Sequence, residues 1–157
     1  MTQTIRPAPV RKTVTVRASP ETAFRVFTAD MGRWWPRTHK IGQVEMVTTV
    51  VEPQAGGRWY EVGVDGSERP WGNVLAWDPP GHLLLAWRLN AQWQYDPDLL
   101  TEVEVRFTAI ADGQTRVDFE HRGFENMGPA GDDARGRVDS PNGWGALLAA
   151  YKTLLEA

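Results

Sequence analysis

The chain of 157 residues is long enough to bury the core of one domain, and its formal charge of -3, with 17 Lys and Arg against 20 Asp and Glu, leaves no basic stripe to neutralise phosphates. Nucleic acid is therefore excluded as a partner, and with no cysteine a disulfide framework, a thiolate zinc site and a cysteine nucleophile are excluded too. No run approaches the roughly 18 apolar residues of a membrane span, and the opening MTQTIRPAPVRK lacks the apolar segment of a signal peptide, so a cytoplasmic protein with no membrane partner is expected.

Residues 1–9 are polar and proline-bearing and read as a frayed N-terminus; residues 10–157 read as one domain. Val10, Lys12, Val14 and Val16 alternate with Arg11, Thr13, Thr15 and Arg17, the period of a strand. Ser19-Pro20-Glu21 then opens a short helix whose apolar residues are Ala23, Phe24, Phe27 and Met31, with Gly32 ending or bending it. Trp34-Trp35-Pro36 turns extended, because proline disfavours helix at the residue before it.

From Gln43 the period becomes two. Strands are expected at 43–52, 58–64, 69–77 and 83–89, separated by turns rich in Gly, Pro and Asp. A polar, aromatic loop at 90–99 leads to a hairpin of 100–111 and 115–122, turned by Asp112-Gly113. Its alternation is clean, with Val103, Val105, Phe107 and Ala109 on one face of the first strand, and Val117, Phe119 and His121 on one face of the second. One face should be buried and the other wet, as in an antiparallel sheet covered on one side. Residues 124–140 hold glycines, a proline and Asp132-Asp133, and read as a long loop that either covers a site or is mobile. The chain closes on a helix. Trp144, Leu147, Leu148, Tyr151, Leu154 and Leu155 fall at i, i+3, i+4 spacing, and Ser140-Pro141 supplies the expected N-terminal cap. About sixteen residues at 1.5 Å each span roughly 24 Å, enough to lie across a small sheet.

This order, together with Ser19-Pro20-Glu21, Trp34-Trp35-Pro36, Gly56-Gly57-Arg58-Trp59, Gly72 and Val74 before Asp78-Pro79-Pro80, Trp87-Arg88, Thr115-Arg116-Val117, His121 with Gly123-Phe124, and Gly143-Trp144, resembles one family. It is similar to the domain homologous to the C-terminal part of the activator of heat-shock protein 90 ATPase, within the START-like, or SRPBCC, superfamily. The resemblance runs over residues 10–157. It implies an α+β helix-grip fold: a curved antiparallel sheet of about six to seven strands wrapped around a long C-terminal helix, with a short helix after the first strand. It also implies a cavity between sheet and helix, where superfamily members bind lipids, hormones or polyketide intermediates and some catalyse cyclisation or dehydration. No shared catalytic residue set comes with it.

Tryptophan is the outlier of the composition, at 8 residues. Large rigid rings with a single N–H donor suit either a packed core or a pocket wall. Trp87 sits in phase with Leu83 and Leu85, Trp144 heads the inward helical stripe that holds Leu148, and Phe124 follows the last strand; Trp34, Trp35 and Trp93 flank loops and are the expected mouth; Trp59 and Trp71 complete the candidate wall. Glu61 shares its phase with Trp59, opposite to Tyr60 and Val62, and the sequence leaves open which pair faces inward. An inward Glu61 would be a ligand anchor or a general acid. His121 is inward, either as a hydrogen-bonded core residue or as an acid-base partner of Glu61. His39 and His82 fall in turns and read as surface residues. No metal-ligand spacing, phosphate loop or nucleophile elbow appears, so no metal, cofactor or catalytic residue is assigned. The expected activity is binding of a small apolar or aromatic molecule, with cyclase- or dehydratase-like chemistry and a chaperone-interacting domain as the alternatives, and a homodimer as the candidate assembly.

Overall fold

The computed structural model describes residues 7–157. The first six residues of the expected frayed terminus lie outside them, while Ala8 and Pro9 are held by Arg135, whose guanidinium donates to both carbonyls at 2.6 and 3.2 Å. Seven strands form one antiparallel sheet: β1 (Val10–Val16), β2 (Met46–Val51), β3 (Arg58–Gly63), β4 (Glu68–Asp78), β5 (His82–Trp87), β6 (Thr101–Ala111) and β7 (Gln114–Arg122). Their order is β1-β7-β6-β5-β4-β3-β2, so the meander runs hairpin by hairpin and β1 closes the far side on β7. Register shifts beside Val47, Trp71, Leu75 and Ile110 insert an extra residue into one strand of a pair. Such bulges bend the strand and raise its twist, which curls a sheet of this width around its contents.

Helix α1 (Pro20–Thr28) starts as expected: Ser19 Oγ accepts from Thr22 N and Pro20 occupies the first turn. The short α2 (Met31–Trp34) follows it, α3 (Gly131–Val138) precedes the C-terminal helix, and α4 (Trp144–Glu156) is the helix that the sheet grips. The inward faces of β6 and β7 are those read from the alternation, except that Ala109 is exposed beyond the reach of the helices. The core is continuous from Val10 and Val16 through the sheet interior to Leu147, Leu148 and Tyr151, with Leu154 and Leu155 only half-buried at the C-terminal end of α4.

Two expectations are corrected. The segment 124–140 is not a structureless loop: a 3-10 stretch spans Phe124–Ala130 and α3 follows. Its helical signal is weak because α3 is polar, with Ala134 and Val138 as its buried i, i+4 pair, and because Gly128, at φ 65, breaks the helical path inside the 3-10 stretch. The C-terminal helix starts at Trp144, so its 13 residues span about 20 Å. Ser140 does not cap it. Its hydroxyl donates to Arg137 O at 2.7 Å and closes α3 instead, and the chain folds back so tightly at Gly143 that a Cβ there would collide with the carbonyl of Val138.

Candidate functional site

The aromatic side chains form two neighbourhoods that meet at Trp34 and Trp35, whose ring centroids lie 5.8 Å apart. At one end of the sheet Phe24, Phe27, Trp34, Phe107 and Tyr151 interlock, with ring centroids 5.3 to 5.9 Å apart. Trp34 belongs here: its indole N–H donates to Val26 O at 2.9 Å, and the ring is core rather than mouth. Tyr151 completes this cluster by donating its hydroxyl to Ala23 O at 2.7 Å, and burial raises its pKa.

The other neighbourhood surrounds a cavity of about 400 Å³ at the N-terminal end of α4. Trp35, Trp71, Trp87, Trp93 and Trp144 all line it, and Leu89, Ile41, Val138 and Leu147 fill the gaps between the rings. The rings touch one another in edge and tilted geometries: Trp35 lies 5.0 Å from Trp71 and 5.7 Å from Trp144, and Trp87 lies 5.6 Å from Trp144 and 6.3 Å from Trp93. Four of these tryptophans are buried, but Trp93 is 40% exposed and has a left-handed φ of 59, a conformation few non-glycine residues adopt. Asn90 holds this turn, its side-chain oxygen accepting from Gln92 N and Gln94 N at 2.9 and 3.0 Å.

Trp71 reaches the cavity by way of a bulge. In an unbroken strand it would share a phase with Asn73 and oppose Gly72 and Val74; with the register shifted beside it, Trp71 and Gly72 are both buried. Gly72 is needed at that point, because a Cβ would collide with the carbonyl of Ala86 on β5.

Glu61 faces inward with Trp59, and it is 1% exposed. Its carboxylate accepts three N–H groups: Trp71 Nε1 at 2.8 Å, Ile41 N at 2.6 Å and Gly42 N at 3.1 Å. Each oxygen of the buried carboxyl group thus has at least one donor, as a polar group taken out of water requires. Trp35 ties the same segment from its other end, donating its indole N–H to His39 O at 2.9 Å. Glu61 does not line the cavity; through Ile41 and Gly42 it holds the end of the 38–41 rim that does.

His121 is likewise a support. It is fully buried, and burial pushes its pKa down to about 3. Trp144 Nε1 donates to its Nδ1 at 3.0 Å, and an indole N–H can only donate, so the imidazole proton sits on Nε2. That proton points to Thr101 Oγ1 at 2.9 Å, whose own hydroxyl donates to Trp87 O at 2.8 Å. The relay fixes Trp144 and ties β7 to Trp87. His121 and Glu61 share the inward face but have entirely separate partners, and four strand steps in the sheet order lie between β7 and β3. They do not form an acid-base pair.

Phe124 packs on His121 with centroids 4.5 Å apart, Trp59 lies beneath Trp35, Trp71 and Trp87, and Leu148 faces the core one turn below the cavity; none of the three lines it. Trp59 Nε1 is a buried donor with no acceptor among the described residues. The lining residues that sequence reasoning missed lie on the 38–41 rim and at the α3–α4 junction: Thr38, His39, Lys40, Arg137 and Asn142. His39 Nε2 donates to Asn142 O at 2.7 Å and joins these two edges. His82, the other histidine read as a surface residue, sits on the outer face between Asp78 and Glu104. Among the described residues no group of three or more His, Asp or Glu could hold a metal, and no helix is long and apolar enough to cross a membrane.

Residues 17–156 match the family described as Activator of Hsp90 ATPase homolog 1-like protein. The chain belongs to that family. Among solved structures of similar fold, the anthrahydroquino-gamma-pyrone synthase Txn09 is 37% identical over 95% of this chain and 97% of its own, with a TM-score of 0.67. CalC from Micromonospora echinospora, a self-sacrificing resistance protein, is 35% identical over 96% of this chain and 94% of its own, with a TM-score of 0.71. The Aha1 dimer from Colwellia psychrerythraea, at 16% identity, 95% and 96% coverage and a TM-score of 0.62, shares the fold alone. No curated protein matches the chain. The helix-grip architecture within the START-like superfamily thus stands on the sheet, on α4 and on these relatives together.

Proposed function

We propose that this domain binds a small, flat, mostly apolar aromatic molecule in the tryptophan-lined cavity. The observation that carries the reading is the convergence of Trp35, Trp71, Trp87, Trp93 and Trp144 on one space of about 400 Å³. That volume lies within the range of small-molecule sites, and rigid indole faces offer stacking area at little conformational cost. Two relatives above one-third identity support it: one is described as an anthrahydroquino-gamma-pyrone synthase, the other as a self-sacrificing resistance protein. Titration with a dihydroxyanthraquinone, followed by quenching of tryptophan fluorescence and by native mass spectrometry, should give saturable one-to-one binding, weakened by Trp93→Ala. Absence of saturable binding, or binding indifferent to Trp93, overturns the reading.

The likeness to the synthase favours a second reading, in which the bound compound is also cyclised or dehydrated. Glu61 and His121 are not the proton carriers for it, since both are sealed in donor-acceptor pairs behind the walls. His39 is the imidazole at the lining, with Nε2–H engaged by Asn142 O and Nδ1 beside the Thr38 hydroxyl at 3.2 Å. Turnover of a polyhydroxylated anthraquinone precursor that is lost in His39→Gln while binding persists would establish the enzyme; binding without product leaves a binding module. Chaperone interaction rests on the family description alone, and a homodimer on a fold-level relative described as a dimer. A chaperone pull-down and a native mass measurement test these two.

A further inference from the structure

We infer that the ligand of this cavity is an aromatic acid, a ring system bearing a carboxylate, sulfonate or ionised phenol, and that Lys40 is the residue that receives its negative charge. The assignment rests on the cavity reading above and names the chemistry of what enters. The chain as a whole is acidic, at -3, yet the residues that line the cavity include Lys40 and Arg137 and not one aspartate or glutamate.

The two cations are not equivalent. Arg137 is already paired: its guanidinium reaches Asp133 at 2.9 Å and also donates to Ala91 O at 3.0 Å. Lys40 has no carboxylate within 4.0 Å among the described residues; its ammonium donates only to Gly42 O, at 2.8 Å. Glu61 meets the same residue from its amide side, accepting from Gly42 N, while Lys40 donates to Gly42 O. Glu61 already accepts from three N–H groups, and Arg69, its cross-strand partner, lies beside Gly42 as well. A half-buried ammonium that satisfies one carbonyl keeps two N–H donors for another acceptor. The rim segment that carries it is pinned by Glu61 and Trp35, so the ammonium is positioned before the ligand arrives. An aromatic body between the indoles with an anionic edge toward Lys40 engages both the rings and the cation of this lining, whereas a cationic or purely hydrocarbon ligand leaves the ammonium with Gly42 O as its one partner.

The experiment compares two probes that share one ring system: anilinonaphthalene sulfonate, and N-phenylnaphthylamine, which lacks the sulfonate. Affinities are measured by fluorescence titration for the unmodified protein, Lys40→Gln, Lys40→Arg and Trp93→Ala, with thermal melting to check that each variant is folded. The sulfonate should bind roughly five- to tenfold more tightly at low salt, the preference shrinking as salt is raised. Lys40→Gln should abolish the preference while leaving the neutral probe unchanged, Lys40→Arg should keep it, and Trp93→Ala should weaken both probes. Equal affinities, or a preference that survives Lys40→Gln, overturn the anionic assignment and leave the cavity reading intact, because the neutral probe still binds. A sulfonate signal indifferent to Trp93→Ala arises outside the cavity and overturns it too. If neither probe binds, the cavity reading itself falls.

Discussion

His121 makes the stability of this protein depend on pH in a way that can be worked out beforehand. Its imidazole is sealed among Trp144, Thr101, Trp87 and Phe124, accepts at Nδ1 and donates at Nε2, and is held neutral by burial, with its pKa near 3 against an ordinary 6.5. The sign follows from linkage. Above about pH 6.5 the imidazole is neutral in both folded and unfolded chains, and its contribution is complete; as pH falls toward 3 the unfolded chain takes up a proton that the folded chain refuses, and the contribution is lost. Between pH 7 and pH 5 the loss is about 2 kcal/mol. Urea unfolding followed by tryptophan fluorescence measures it, with His121→Asn as the control. The amide oxygen of asparagine can still accept from Trp144, and nothing at that position titrates. The variant should be less stable at pH 7 by about 1 to 3 kcal/mol, because Thr101 loses its donor. The gap between the two proteins should then narrow by about 2 kcal/mol on going to pH 5, since His39, His82 and all carboxylates are common to both. A gap that stays constant with pH refutes the account of His121 as a neutral support.

Trp59 and Trp71 offer a matched pair. Tryptophan to phenylalanine removes the same volume at either place, but Trp59→Phe deletes a donor that has no acceptor and Trp71→Phe deletes one that serves Glu61. Chemical denaturation should find Trp59→Phe more stable than Trp71→Phe by about 2 kcal/mol or more, and equal stabilities would contradict the hydrogen-bond assignment. Glu61→Gln keeps the size of the side chain but loses a charged acceptor, so it should destabilise by about 1 to 3 kcal/mol and speed amide exchange at Ile41 and Gly42 specifically. Protection unchanged at those two amides would show that the carboxylate does not hold the rim. Trp144→Ala should cost roughly 3 to 5 kcal/mol in the same assay, the value for a ring buried to 98%, even though one face meets the cavity. A cost below about 1 kcal/mol would mean that the ring faces ligand rather than core.

Much of the architecture could be read from local pattern, because strand and helix periods are written in neighbouring residues. The alternation through Val103, Val105 and Phe107 and through Val117, Phe119 and His121 marks the covered face of the sheet, and the spacing of Trp144, Leu147, Leu148 and Tyr151 marks the face of α4 that meets it. The same phase argument reduced Glu61 to two possibilities, and the family resemblance supplied the grip of sheet on helix. Where α4 begins was misread for a local reason as well: Ser140-Pro141 has the chemistry of a helix start, yet the preceding α3 claims the hydroxyl first.

What the sequence determined by itself is thus the set of elements and their inward faces, both consequences of bonds and side-chain directions a few residues apart. Which inward residues meet a cavity and which are walled behind it was decided by tertiary structure alone. Trp71 joins the lining because a bulge against β3 resets the phase of β4, and Trp34 leaves it because its indole finds the carbonyl of Val26 on α1. Glu61 and His121, plausible as chemistry when read along the chain, are supports because their partners come from Ile41, Gly42, Trp71, Thr101 and Trp144, 10 to 23 residues away. A buried polar group takes its role from whichever donors and acceptors saturate it, and those partners are brought together only when the whole chain has folded.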